Sequence, residues 1–157
     1  LIRHAWLFLL SLYFPLCATE GAAGINPPGV VDFSHFQRNK YSNVLAAPAG
    51  FVPAPDMITP VYNVPAPVLF AAIQKVAAAQ TRIYSLDAEP QALQAAWIIR
   101  SHFCNFPDIV EVAAIPDGPN KSELIFYTHA LYGWYAYGVT NHRAKIWLAA
   151  LNLKVMH

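Results

Sequence analysis

Charge is scarce in this sequence: 12% of its 157 residues are Asp, Glu, Lys or Arg, and ten basic against nine acidic side chains leave a formal net charge of +1. The basic residues are scattered rather than clustered. The long-range positive field that draws a protein to nucleic acid is therefore missing, and nucleic acid is not an expected partner. Cysteine is equally sparse, with Cys17 inside an apolar run and Cys104 far from it in sequence. No disulfide framework is expected from that pair, and Cys104 reads as a small buried side chain. A Gly-x-Ser-x-Gly elbow, a His-Glu-x-x-His pair and a Gly-rich phosphate loop are all lacking, which removes the common hydrolase, zinc-protease and nucleotide-binding signatures. His102, His129, His142 and Asp108 share neither an i, i+4 spacing nor a Cys-x-x-Cys frame, so neither a metal nor another cofactor is expected.

Apolar residues are abundant, at 56% of the chain, enough to bury a core that offsets the entropy of ordering. The length has room for one domain. Arg3 and His4 precede an apolar run from Ala5 to Leu10 that resumes after Ser11 and continues to Ala18. A short positive region followed by about fourteen hydrophobic residues predicts a secretory signal, with cleavage after Ala23. The alternative is a retained anchor, because Ala5 to Ile25 carries a single charge, Glu20, and about twenty helical residues reach across a ~30 Å hydrocarbon core. Either way the positive-inside rule puts the rest of the chain across the membrane. That is the periplasmic side of an inner membrane, anchored there or free in the periplasm after cleavage.

Residues 1–23 thus read as signal or anchor, 24–57 as an extended Pro- and Gly-rich segment that wraps or tethers the domain, and 58–157 as the domain itself. Ile58 to Val64 has strand-like content, with Pro60 confining it to a sheet edge or a strand start. A helix starts after Pro65-Ala66-Pro67, where Leu69, Ile73, Val76 and Ala77 form one apolar stripe. Strands are expected at Thr81–Leu86, Ala92–Phe103, Ile109–Ile115 and Glu123–Leu131, with a turn at Asp117–Asn120. A last helix, capped by Thr140 or Asn141, turns Ala144, Trp147, Leu148 and Leu151 inward. The expected fold is α+β: an antiparallel meander sheet packed against two helices, preceded by an N-terminal hydrophobic helix and the extended Pro-rich segment.

The stretch Asn105-Phe106-Pro107-Asp108, the turn Pro116-Asp117-Gly118 and the segment Tyr127 to Asn141 carry a resemblance. From Tyr41 to Leu151 the chain resembles the domain of unknown function 1499 family of bacterial envelope proteins. The family's last segment runs Tyr-Ser-Arg-Ser-x-Tyr-Gly-Tyr-Ser-Asp-x-Gly-Val-Asn-Arg. This chain follows it without a gap but has His129, Ala136 and Asn141 where the pattern has Arg, Asp and Arg. Arg100, Phe106, Pro107, Asp108, Gly133 and Gly138 are the matching motif positions. The resemblance implies envelope location and fold, and brings no established activity.

Three readings of function follow. The first is a non-enzymatic, membrane-anchored or periplasmic accessory subunit of a larger membrane protein complex. Its interaction surface is Tyr127, Tyr132, Trp134, Tyr135 and Tyr137, since Tyr and Trp combine an apolar body with a polar tip that suits interfaces. The second is a soluble periplasmic protein holding a small apolar ligand between sheet and helix. The third is a hydrolase-like enzyme in which Asp108, His102 and His129 converge, with Arg100 as a donor and Tyr127 or Tyr132 assisting. Against that last role, Asp108 after Pro107 also reads as a turn or cap residue bonding nearby backbone N–H groups.

Overall fold

Between Ile83 and Ala130 short turns join four segments rich in Val, Ile, Leu and aromatic residues, and long apolar runs such as Ala95–Ile99 and Leu124–Tyr127 suit strands covered on both faces. The computed structural model describes residues 21–102, 105–132 and 137–155. It folds this stretch into β3 (Ile83–Glu89), β4 (Gln94–Arg100), β5 (Pro107–Pro116) and β6 (Ser122–Ala130), each antiparallel to the next. The expected meander is present. The sheet is larger than the meander, however, and mixed. β1 (Asn43–Ala47) pairs antiparallel with β6, and β2 (Met57–Ile58) pairs parallel with β1, giving the order β2-β1-β6-β5-β4-β3. β2 is an edge strand that stops before Pro60, as the proline requires; beyond it Thr59 donates to the Ala47 and Leu124 carbonyls, Tyr62 bridges to Ser122, and the Ser122 hydroxyl donates to the Val64 carbonyl.

The core does not begin after Met57. Val44, Leu45, Ala46 and Ala47 of β1 are fully buried, within the stretch read as an extended lead-in. Burial on both faces explains the missing signal: Val44 and Ala46 join the cluster under the helices, Leu45 and Ala47 the cluster on the opposite face, so no alternation of polar and apolar residues marks the strand.

Two helices cover one face of the sheet. Helix α1 (Ala66–Ala78) starts with Pro at its first turn and buries Leu69, Ile73, Val76 and Ala77, the expected stripe. Helix α2 (Tyr137–Val155) buries Ala144, Trp147 and Leu151, with Leu148 partly covered beside them. It starts before the expected caps: Thr140 and Asn141 lie inside it, and Thr140 is buried. The indole of Trp147 sits 5.5 Å from the Phe126 ring and 5.8 Å from Trp97, which fixes α2 over β4 and β6.

The other face is covered by residues 21–42, which cross it as a strap. The Arg100 Nε donates to the Gly21 carbonyl (2.9 Å), the Gly29 N–H to Asp87 (2.8 Å), and Gln94 both accepts from the Val31 N–H and donates to its carbonyl. Further along, Phe33, Phe36 and Phe51 pack on Leu45, Ile125 and Tyr127, with the Phe36 and Tyr127 rings edge to face. Arg38 pairs with Asp56 and donates to Asn43 (2.7 Å), which closes the strap against β1. The hydrophobic helix expected at the N-terminus lies outside the described residues, apart from positions 21–23 at its end, which form a turn. Among the described residues no helix is long and apolar enough to cross a membrane.

Candidate functional site

The motif positions that are described gather at one end of the sheet, where β4 ends and β5 begins. Arg100 stands opposite Pro107 in the ladder, and Phe106 exchanges bonds with Ser101, its N–H to the Ser101 Oγ and its carbonyl to the Ser101 N–H (both 2.9 Å). Arg100 is 3% exposed and gives its Nε to Gly21 and its Nη1 to the Asn105 carbonyl, so it ties the strap and the β4–β5 turn together. Gly138 lies in the first turn of α2, and Gly133 lies outside the described residues.

Asp108 is not a turn or cap residue. It is the second residue of β5, 7% exposed, and its carboxylate accepts from the Arg143 Nη1 of α2 at 2.7 Å. The same nitrogen lies 3.4 Å from the Thr128 hydroxyl. Burial pushes the Asp108 carboxyl above its usual range, and the neighbouring Arg143 charge and hydrogen bond pull it back only in part.

The convergence of Asp108, His102 and His129 does not form. Ile109 is the ladder partner of His129, and Asp108 is its neighbour on the opposite face. His129 therefore points to the strap side, where its Nε2 is 3.4 Å from Glu111 and its Nδ1 is 3.3 Å from the Asn39 side-chain amide. His102 lies on the helix side, exposed. Among the described residues no group of three His, Cys, Asp or Glu could hold a metal ion.

The aromatic surface is also divided. Tyr127 is buried in β6, accepting a 2.6 Å bond from the Asn39 N–H, and burial raises its phenol to about 12. It belongs to the core, not to an interface. Tyr132 is half exposed; Trp134 and Tyr135 lie outside the described residues, and Tyr137 opens α2.

Two features escaped the sequence reading. A groove of 320 Å³ runs between the end of β4 and α2, lined by Ile99, Arg100, Ser101 and His102 on one side and by Val139, His142, Arg143, Ile146 and Trp147 on the other. From the groove's rim outward, Val139, Ile146 and Leu153 are exposed at intervals of seven along α2, with His142, Lys145 and Lys154 exposed around them. Neither α1 nor α2 contains an Asp or Glu. The second pattern is legible in the sequence, since Val, Ile and Leu at i, i+7 and i+14 share a helix face, but it is weaker than the inward stripe of Ala144, Trp147, Leu148 and Leu151 on the same helix.

Compared with known protein families the chain matches none, and no curated protein matches it.

Proposed function

We propose that this chain is a non-enzymatic accessory subunit of a larger complex of the bacterial envelope, held on the periplasmic side of the inner membrane by its N-terminal segment. The observation that carries the reading is the outer face of the helix layer, where Val139, Ile146 and Leu153 are exposed beside His142, Lys145 and Lys154 without one acidic residue in either helix. Apolar area edged with one sign of charge is suited to a partner presenting acidic side chains around an apolar centre. Tyr132 of the aromatic segment is exposed as well. The buried polar groups are meanwhile engaged within the fold, Asp108 with Arg143 and His129 with Glu111 and Asn39, which leaves little of the proposed catalytic set for substrate. The likeness to the domain of unknown function 1499 family belongs to this reading as support for the location.

The test is the intact mass and hydrodynamic size of the native protein after gentle detergent extraction, for the wild type and for Leu153→Glu, whose site is too exposed to affect folding. A full-length chain in a large assembly that dissociates in the variant is the expected result. A small soluble species starting near Gly24 would overturn it, and so would binding of the full chain to protein-free anionic vesicles that Leu153→Glu abolishes, which would make the surface a lipid contact.

A further inference from the structure

We infer that the partner meets this chain with an α-helix, laid along the outer face of α2 in coiled-coil register and carrying acidic side chains on both flanks. The inference rests on the accessory-subunit reading and deepens it by naming the element that docks. Helix α2 is apolar on two opposite sides. Ala144, Trp147 and Leu151 are buried on one, while Val139, Ile146 and Leu153 on the other are 56%, 45% and 68% exposed. A helix apolar on both sides is ordinarily covered on both, and the described residues cover only the first.

The spacing of the outer residues identifies the cover. Val139, Ile146 and Leu153 recur every seven residues, and His142 and Ala149, both exposed, stand three residues after the first two, so together they occupy the a and d positions of a heptad pattern. Such a seam is narrow and, at 1.5 Å per residue, about 21 Å long, which matches four turns of a second helix. A lipid surface is instead met by a broad apolar face, which this single line of side chains is not. Ala149 leaves a hole for a larger side chain, and beside Val139 and Ile146 the 320 Å³ groove reaching Ile99 gives further room. Charge then selects the chain. Lys145 and Lys154 lie nine residues apart, which at about 100° per residue puts them on opposite flanks of the seam. Arg143, engaged by Asp108, takes no part. With no Asp or Glu in either helix, a second copy of α2 would set cations against cations, so the occupant is a different chain with Glu or Asp at its flanks.

The test is photocross-linking of the full chain in its native envelope, with p-benzoylphenylalanine placed singly at Val139, His142, Ile146, Ala149 and Leu153, and at Asn120 in the exposed β5–β6 turn as the control. The seam positions are expected to react with one segment of another protein, at residues three or four apart, with Glu or Asp on both sides of that line, and Asn120 with none of it. Lys145→Glu combined with Lys154→Glu should lower the yield about tenfold, and Lys at the partner's acidic positions should restore it. Adducts to a segment lacking that spacing or those acids, or an unchanged yield in the double variant, overturn the helix while leaving the accessory-subunit reading in place. Adducts to lipid alone, to a second copy of this chain, or none at all also overturn it. A small soluble species starting near Gly24 in the same extract overturns both.

Discussion

Replacing Arg143 by Met should destabilise the fold by about 3–5 kcal/mol at neutral pH, because it leaves the buried Asp108 carboxylate without its partner. The starting geometry is a 2.7 Å contact between side chains that are 12% and 10% exposed. Burial already raises the Asp108 pKa in the wild type, and Arg143 is the main force opposing that rise. The sign of the pH dependence follows. Below the unfolded value of 3.8 the folded and unfolded chains both hold the proton, and as pH climbs from there through the folded value the unfolded chain gives it up first, so stability falls. Arg143→Met widens that window upward, and its penalty should shrink at acid pH, where Asp108 stays neutral. Urea unfolding between pH 4 and 8 measures both effects. The double variant Arg143→Met with Asp108→Leu removes the charges together and should lie within about 1 kcal/mol of the wild type or above it. A double variant as unstable as the sum of the single ones, or a penalty in Arg143→Met that does not change with pH, would refute the claim that the two side chains act as one buried unit.

Other expectations are simpler. Trp147→Ala should cost about 3–5 kcal/mol, since it empties the space against Phe126 and Trp97, and thermal unfolding would report it. Gly118 has φ +88° with nothing within 4 Å of an added Cβ, so Gly118→Ala should cost only the backbone term of about 1–2 kcal/mol, and a larger loss in chemical denaturation would contradict an open turn. Tyr62 and Tyr127 should stay un-ionised well past pH 10 in a spectrophotometric titration, both phenols being raised to about 12 by burial. Because the folded values exceed the unfolded 10.0, this contribution to stability is complete below pH 10 and is lost as pH rises toward 12. Tyr127→Phe should speed hydrogen exchange at the Asn39 amide, which loses its acceptor.

Local periodicity carried most of the fold into view. The stripe Leu69, Ile73, Val76 and Ala77 lies within thirteen helical residues, and the meander strands are consecutive, so neighbours in sequence are neighbours in space. What failed was whatever depends on distant pairing. β1 gave no alternation because helices cover one of its faces and Phe33, Phe36 and Phe51 the other. Asp108 and Arg143 are 35 residues apart, and nothing near either announces the partner. The aromatic run was read as one surface although Tyr127 is separated from Tyr132 by the end of β6, and a strand alternates its faces where a composition count does not. The groove was illegible for the same reason: Trp147 was correctly placed inward, but the lack of an acceptor for its N–H becomes visible only once its neighbours are in position.

The strap across the sheet also determines how the domain would answer tension. A pull applied through the chain at residue 21 first loads the bond between Arg100 and the Gly21 carbonyl, then Asp87 at Gly29, then Gln94 at Val31, and only afterwards the Phe36 and Asn39 contacts with Tyr127. These attachments lie in series along the strap, so they should fail one after another at low force, while the β1–β6 ladder behind them holds until the end. Single-molecule extension from the N-terminal side should accordingly show small early steps before one large rupture, which would make residues 21–42 a compliant tether between whatever holds the N-terminus and a stiff sheet.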